Sequence, residues 1–199
     1  MVLASCGEAR GPKEDTSYAP VIVSEHTAAG EVAESVATAA PKTTKTTAAE
    51  GLPLRDRLIV PVAGVSRDNL PDNFNEMRGT RRHDAMDILA PRGTQVLSAT
   101  NGRVVKLHTS AAGGLMVYAA DATERYVLMY AHLDRYAAGL AEKMPLKQGQ
   151  VIGYVGTTGN APPNTPHLHF AITRVDSVKY WWKGEPLDPR PLLVGTTSP

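Results

Sequence analysis

Two histidines stand one residue apart in Pro166-His167-Leu168-His169-Phe170, and His83-Asp84-Ala85-Met86-Asp87 places another histidine four residues before an aspartate. With His132 in Tyr130-Ala131-His132-Leu133, the chain holds five polar side chains suited to a metal centre. A catalytic zinc typically takes three protein ligands and keeps one position open for water, so five candidates exceed the ligand count. The surplus has a chemical use: hydrolysis needs a base for the attacking water and a donor for the developing oxyanion. Spacing leaves open whether His167 and His169 both bind. Residues two apart on a strand are roughly 6–7 Å apart, and two imidazoles can chelate across that gap. Of the remaining histidines, His26 and His108 are given no role.

Short strands are expected to position these groups. From Leu58 onward, short apolar runs are separated by Gly, Pro, Asn and Asp, the punctuation of a mainly β domain. Alternation along His167–Thr173 puts Leu168, Phe170 and Ile172 on a core face and His167, His169, Ala171 and Thr173 on the other. The same count groups Tyr126, Leu128, Tyr130 and His132 opposite Val127, Met129 and Ala131, with His132 ending its strand. Leu115–Ala120 and Arg125–Leu133 flank the turn DATE and read as a hairpin, and Gln150–Val155 reads as a further strand. Thr94–Leu107 carries two strand-like pieces broken at Asn101-Gly102, a strong hairpin or bend signal. The segment TTGNAPPNTP, residues 157–166, is a loop, while 140–144 and 68–77 suggest short helical pieces. His83 and Asp87 could share a helix face, but Pro91 and Gly93 leave little room for a stable helix. The alternative is a histidine on the loop entering a strand and an aspartate near its start.

Composition divides the chain. Residues 7–52 are dominated by Ala, Thr, Ser, Glu, Lys and Pro and cannot bury enough apolar surface to offset their ordering entropy. They are expected to be a disordered tether, with the folded domain spanning 53–199. A tether of about 45 residues has an r.m.s. span on the order of 35–40 Å. Among 199 residues, 21 basic and 20 acidic side chains give a net charge of +1, no basis for a nucleic-acid partner. The single cysteine, Cys6, excludes an intrachain disulfide. Leu3-Ala4-Ser5-Cys6-Gly7 resembles a bacterial lipobox, so residues 1–6 are read as a lipobox remnant with lipid on Cys6. Only five residues precede Cys6, and the expectation is a start placed too late or a trimmed signal.

The motif His83 to Asp87, followed by ILAPRGTQVLSATNGRVV, MYAHL, GQVIGYVGTTGN and PHLHFAI, resembles the lysostaphin/LytM-type zinc endopeptidases of bacterial cell walls. The resemblance implies the duplicated hybrid motif fold, a compact antiparallel β-sheet or sandwich with a groove. It implies one Zn2+ held by His83, Asp87 and His169, with His132 and His167 in catalysis. The implied substrate is the peptide cross-link of peptidoglycan, between D-Ala and meso-diaminopimelate. An enzyme of this kind would work in the periplasm, lipid-anchored to the outer membrane, with regulatory cell-wall proteins as candidate partners. The family motif is His-x-Gly-x-Asp; Ala85 replaces the glycine, and its methyl is expected to narrow the backbone path or groove floor.

Two other functions compete. A non-catalytic lipoprotein that binds peptidoglycan or activates another hydrolase would be expected to have lost zinc ligands, and none is lost. A phosphocarrier domain with paired histidines accounts less well for Asp87 and the third and fourth histidines. Arg78, Arg81 and Arg82 could meet substrate carboxylates or form a solvated loop. Tyr180, Trp181 and Trp182 read as packing before a sugar- or peptide-binding wall, and Tyr126 and Tyr130 as packing before a site flank.

Overall fold

The computed structural model describes residues 53–194; the expectations for 1–6, 7–52 and Cys6 lie outside the described residues. The organising strand is β10, His167–Arg174, in which Leu168, Phe170 and Ile172 are all 0% exposed. Burying each such side chain contributes about 1.5–3 kcal/mol, which fixes the face of β10 turned to the core. One edge of β10 pairs with β7, Tyr126–Tyr136. Its other edge is shared, with β3 (Met86–Leu89) on the first half and β11 (Glu185–Leu187) on the second. Beyond β7 follow β6 (Gly114–Asp121), β5 (Gly102–Ser110) and β8 (Pro145–Leu146). The C-terminal part of β7 leaves β6 and pairs with β9, Val151–Val155, which in turn pairs with β4, Gln95–Leu97. These nine strands form one antiparallel sheet, as expected for a mainly β domain. A separate hairpin joins β1 (Met77–Arg78) to β2 (Arg81–Arg82), and the one α-helix of the described residues, α1, is Pro189–Val194.

The DATE hairpin forms between β6 and β7, and one buried carboxylate organises its turn. Asp121 Oδ1 accepts the N–H groups of Arg125 at 3.1 Å and Tyr126 at 3.0 Å. Its Oδ2 accepts from Thr123 N at 3.2 Å, Thr123 Oγ1 at 2.6 Å and Arg57 Nη1 at 2.8 Å. A buried charge is tolerated only when paired and hydrogen-bonded in this way.

One open expectation is resolved and two change. Asn101-Gly102 marks a bend, because β4 pairs with β9 and β5 with β6 and β8, never with each other. Residues 140–144 form turns instead of a helix, and 68–77 contains only the end of a 3-10 turn at Arg67–Asn69 before β1 begins. Finally, β7 does not end at His132; it runs on to Tyr136, and a positive φ at His132 breaks the alternation.

Candidate metal centre

Register brings the first two residues together. Along β10, His169 is the direct cross-strand partner of Asp87 on β3 and of Ala131 on β7. Asp87 is the second residue of β3, and His83 lies on the segment entering that strand, the loop-and-strand arrangement rather than the helical one. Between them the chain turns at Asp84, with φ of 55°, and this brings His83 back beside the carboxylate. His83 Nε2 lies 3.1 Å from Asp87 Oδ1 and 3.1 Å from His169 Nδ1, and Asp87 Oδ1 is 2.9 Å from His169 Nδ1. Ala85 is 1% exposed and lines neither cavity beside the cluster, so its methyl does not narrow the groove floor.

The donor set fits a metal. A backbone carbonyl can only accept, so the 2.9 Å contact of His83 Nδ1 with Asn73 O makes Nδ1 the protonated nitrogen and leaves Nε2 a lone pair. Arg78 Nη2 donates to Asp87 Oδ2 at 2.8 Å, leaving Oδ1 turned to the two imidazoles. His83 Nε2 and Asp87 Oδ1 are thus two acceptors facing each other and His169 Nδ1, an arrangement that needs a proton on that nitrogen or a cation between them. Ligands about 2.0–2.2 Å from a tetrahedral metal stand roughly 3.3–3.5 Å apart, close to the separations here. Burial works against ionisation of Asp87, but hydrogen bonds from His169 and Arg78 overcome it and hold the carboxyl well below the usual carboxylate range.

Two further imidazoles complete the cluster. The ring of His132 lies 5.0 Å from that of His167 and 5.5 Å from that of His169, centre to centre. Counted by alternation, His132 belongs with Leu128 and Tyr130, which are fully buried. Its φ of 59° turns it instead to the side of Met129 and Ala131, which line the groove. The bulges that accompany this turn are at Leu115/Val117 in the β6 pairing and at Leu133/Arg135 in the β9 pairing. His132 Nδ1 donates to Thr158 O at 2.8 Å and His167 Nδ1 to Thr165 O at 2.8 Å. Each therefore keeps Nε2 as the ring nitrogen available for proton transfer. Burial pushes the His132 pKa below its ordinary value, which favours the neutral ring.

The description "Peptidase family M23" matches residues 81–189, more than half of the chain and the whole of this cluster. The chain belongs to peptidase family M23. Among curated relatives, the M23 chain is 30% identical over 127 residues to the cell division protein DipM of Caulobacter vibrioides, covering 64% of this chain and 20% of that one. It is 34% identical over 113 residues to the L-Ala--D-Glu endopeptidase of Bacillus subtilis, covering 54% and 34%. To the peptidoglycan DD-endopeptidase ShyC of Vibrio cholerae it is 35% identical over 104 residues, covering 49% and 23%. The M23 chain thus spans about a fifth to a third of the length of these relatives. Among solved structures, Helicobacter pylori Csd3 superposes with a TM-score of 0.53 at 30% identity, over 69% of this chain and 33% of that one. The lysostaphin catalytic domain of Staphylococcus simulans shares the fold, with a TM-score of 0.54 at 24% identity over 64% and 92%.

Around the M23 cluster lie two cavities, of about 530 and 510 Å3, that share Arg78, Asp87, Pro162 and His167 and so form one groove across the site. His108, given no role from sequence, lines the larger cavity, and Trp181 packs on Tyr118 beside it at 4.3 Å between ring centres. Trp181 therefore bears out packing, whereas Tyr180 and Trp182 remain about half exposed. Tyr130 is a core residue whose hydroxyl accepts from Ala99 N at 3.0 Å. Asn73, Thr158 and Thr165 have no motif to announce them, because each holds its histidine through a backbone carbonyl that any residue supplies. Asn73 also reaches the cluster through its side chain, accepting from Asp87 N at 3.3 Å.

Proposed function

We propose that this M23 domain is a zinc-dependent endopeptidase that hydrolyses the peptide cross-links of bacterial peptidoglycan, between D-Ala and meso-diaminopimelate. One observation carries the reading: His83 Nε2, Asp87 Oδ1 and His169 Nδ1 converge within about 3 Å of one another beside two imidazoles whose Nε2 atoms are left available. Relatives named for peptidoglycan and endopeptidase activity support the substrate class. A zinc ion held by His83, Asp87 and His169 supplies Lewis acidity, which acidifies water and polarises the scissile carbonyl.

The chain's own residues supply the rest. The neutral ring favoured by burial at His132 can accept a proton from the attacking water at Nε2. Beside it stands His167, 5.0 Å away between ring centres, with Nε2 3.8 Å from Asp87 Oδ1; carrying a proton there, it can donate to the developing oxyanion or to the leaving amine. The bond from Arg78 to Asp87 Oδ2 keeps the carboxylate ionised and oriented. A protein that only bound the wall or activated another hydrolase would have no use for five such groups, so their joint presence supports the enzyme.

The rest of the chain fits a tethered enzyme. We read residues 1–6 as a lipobox remnant, 7–52 as a tether and 53–199 as the catalytic domain, in the periplasm at the outer membrane. Purified protein is expected to hold about one zinc per chain and to convert cross-linked muropeptide dimers of digested sacculi into monomers. Chelation should stop the conversion and added zinc restore it. Intact, metal-loaded protein that leaves the dimers uncut would overturn the proposal. Intact-mass spectrometry of the full-length chain extracted from membranes should show a lipid-sized increment on Cys6, and an unmodified cysteine would end that part of it.

A further inference from the structure

We infer that Arg81 anchors a carboxylate of the substrate, so that the groove selects a stem peptide with a free carboxylate beside the scissile bond. The inference deepens the proposed function and rests on it for the word substrate. Its basis is the β1–β2 hairpin, which turns at Gly79-Thr80 with Gly79 at φ of 66°. The register sets Arg78 directly opposite Arg81. Like charges at directly opposed positions destabilise a strand pair, so this pairing has a cost that almost any other residue at 81 would remove.

The two guanidinium groups are not equivalent. Arg78 is committed to Asp87 Oδ2 at 2.8 Å and Glu76 Oε2 at 3.1 Å. Arg82 pairs with Asp84 and lies 5.2 Å from the centre of the Phe74 ring. Arg81 has no ion pair among the described residues, yet it lines the larger cavity beside His83 and His169. Asp87 is the one acidic residue lining either cavity, and its carboxylate is already shared between Arg78 and the imidazoles. Nothing in the groove neutralises Arg81, and a planar fork of N–H donors is matched by a carboxylate. The far side of the cluster differs in character: Val65, Pro71, Ile88, Leu89 and Pro162 make it largely apolar. A substrate with an anionic group on one side of the scissile amide and a small apolar side chain on the other complements both.

Two matched peptides test the anchor. Each contains D-Ala and meso-diaminopimelate joined through a ketomethylene in place of the scissile amide, and cannot be hydrolysed. One keeps the carboxylate beside that linkage, and the other carries it as a carboxamide. Calorimetry on the full chain at low ionic strength, where charge pairing is least screened, is expected to show the carboxylate binding about ten-fold more tightly. Arg81→Gln should remove the difference between the two peptides. Arg81→Lys, which keeps the charge without the fork, should retain part of it. Equal affinities for wild type, no measurable binding of either peptide, or discrimination that survives Arg81→Gln would each overturn the inference. Cleavage of the parent amides is read separately. Discriminating binding with no cleavage would sink the hydrolase reading and leave the anchor standing.

Discussion

Replacing His169 with alanine is expected to remove bound metal and hydrolysis together, whereas replacing His132 with alanine removes hydrolysis and leaves the metal in place. The difference follows from which nitrogen each ring has available and what it faces. His169 directs Nδ1 at Asp87 Oδ1 and His83 Nε2, at 2.9 and 3.1 Å. Without it, two of the three converging donors remain, too few to hold zinc against water. Because the metal's contribution to transition-state stabilisation is several kcal/mol, the rate should fall by about 10^3-fold or more. His132 contributes no atom to that triplet; its Nδ1 is committed to Thr158 O and its Nε2 is left for proton transfer. Loss of a general base costs about 10^2- to 10^4-fold with metal content unchanged. Metal analysis beside muropeptide turnover separates the two variants. A His169→Ala protein that keeps stoichiometric zinc would show that the ligand set is misassigned.

The largest stability effect is expected far from the site, at Asp121. Asp121→Ala deletes the acceptor for three backbone N–H groups, the Thr123 hydroxyl and the Arg57 guanidinium. The Arg57 side chain is 8% exposed and that of Asp121 0%, so surface screening does little to weaken the pair. Removing one member of a buried ion pair costs about 3–5 kcal/mol, a fall in Tm of roughly 10 °C or more for a domain of this size. Asp121→Asn, which keeps one carbonyl acceptor, should lose less. Thermal unfolding followed by circular dichroism measures both, and an alanine variant within about 2 °C of wild type would show that the turn closes without its carboxylate.

Much of this architecture was legible in the residues, for reasons that also mark where legibility stopped. Alternation in His-Leu-His-Phe-Ala-Ile identified the core face of β10 and the face that carries both histidines, because a straight strand has a period of two. The same rule placed His132 on the wrong side, since one residue with positive φ restarts the count and a histidine does not advertise that conformation. Asn101-Gly102 announced a change of direction but not its partners, because strand pairing here is decided by residues some fifty positions away at Val151–Val155. Ala85 drew attention as a departure from the family motif, yet the left-handed backbone lies one residue earlier, at Asp84. The carbonyls of Asn73, Thr158 and Thr165 were invisible for a more general reason: a backbone acceptor leaves no trace in residue type.

The loop spanning residues 157–166 does more than line the groove. Its Thr158 carbonyl sets the tautomer of His132 and its Thr165 carbonyl sets that of His167. The Thr158 hydroxyl also locks the loop to two strands, accepting from Leu115 N at 3.0 Å and donating to Leu133 O at 2.7 Å. A gain or loss of residues between those two carbonyls bears on both imidazoles, because one short segment carries both acceptors. No hydrogen bond from Gly79, Thr80 or Arg81 reaches an imidazole among the described residues. Substitutions at that hairpin tip break no hydrogen bond to an imidazole, whereas changes in the ten-residue loop put two such bonds at stake.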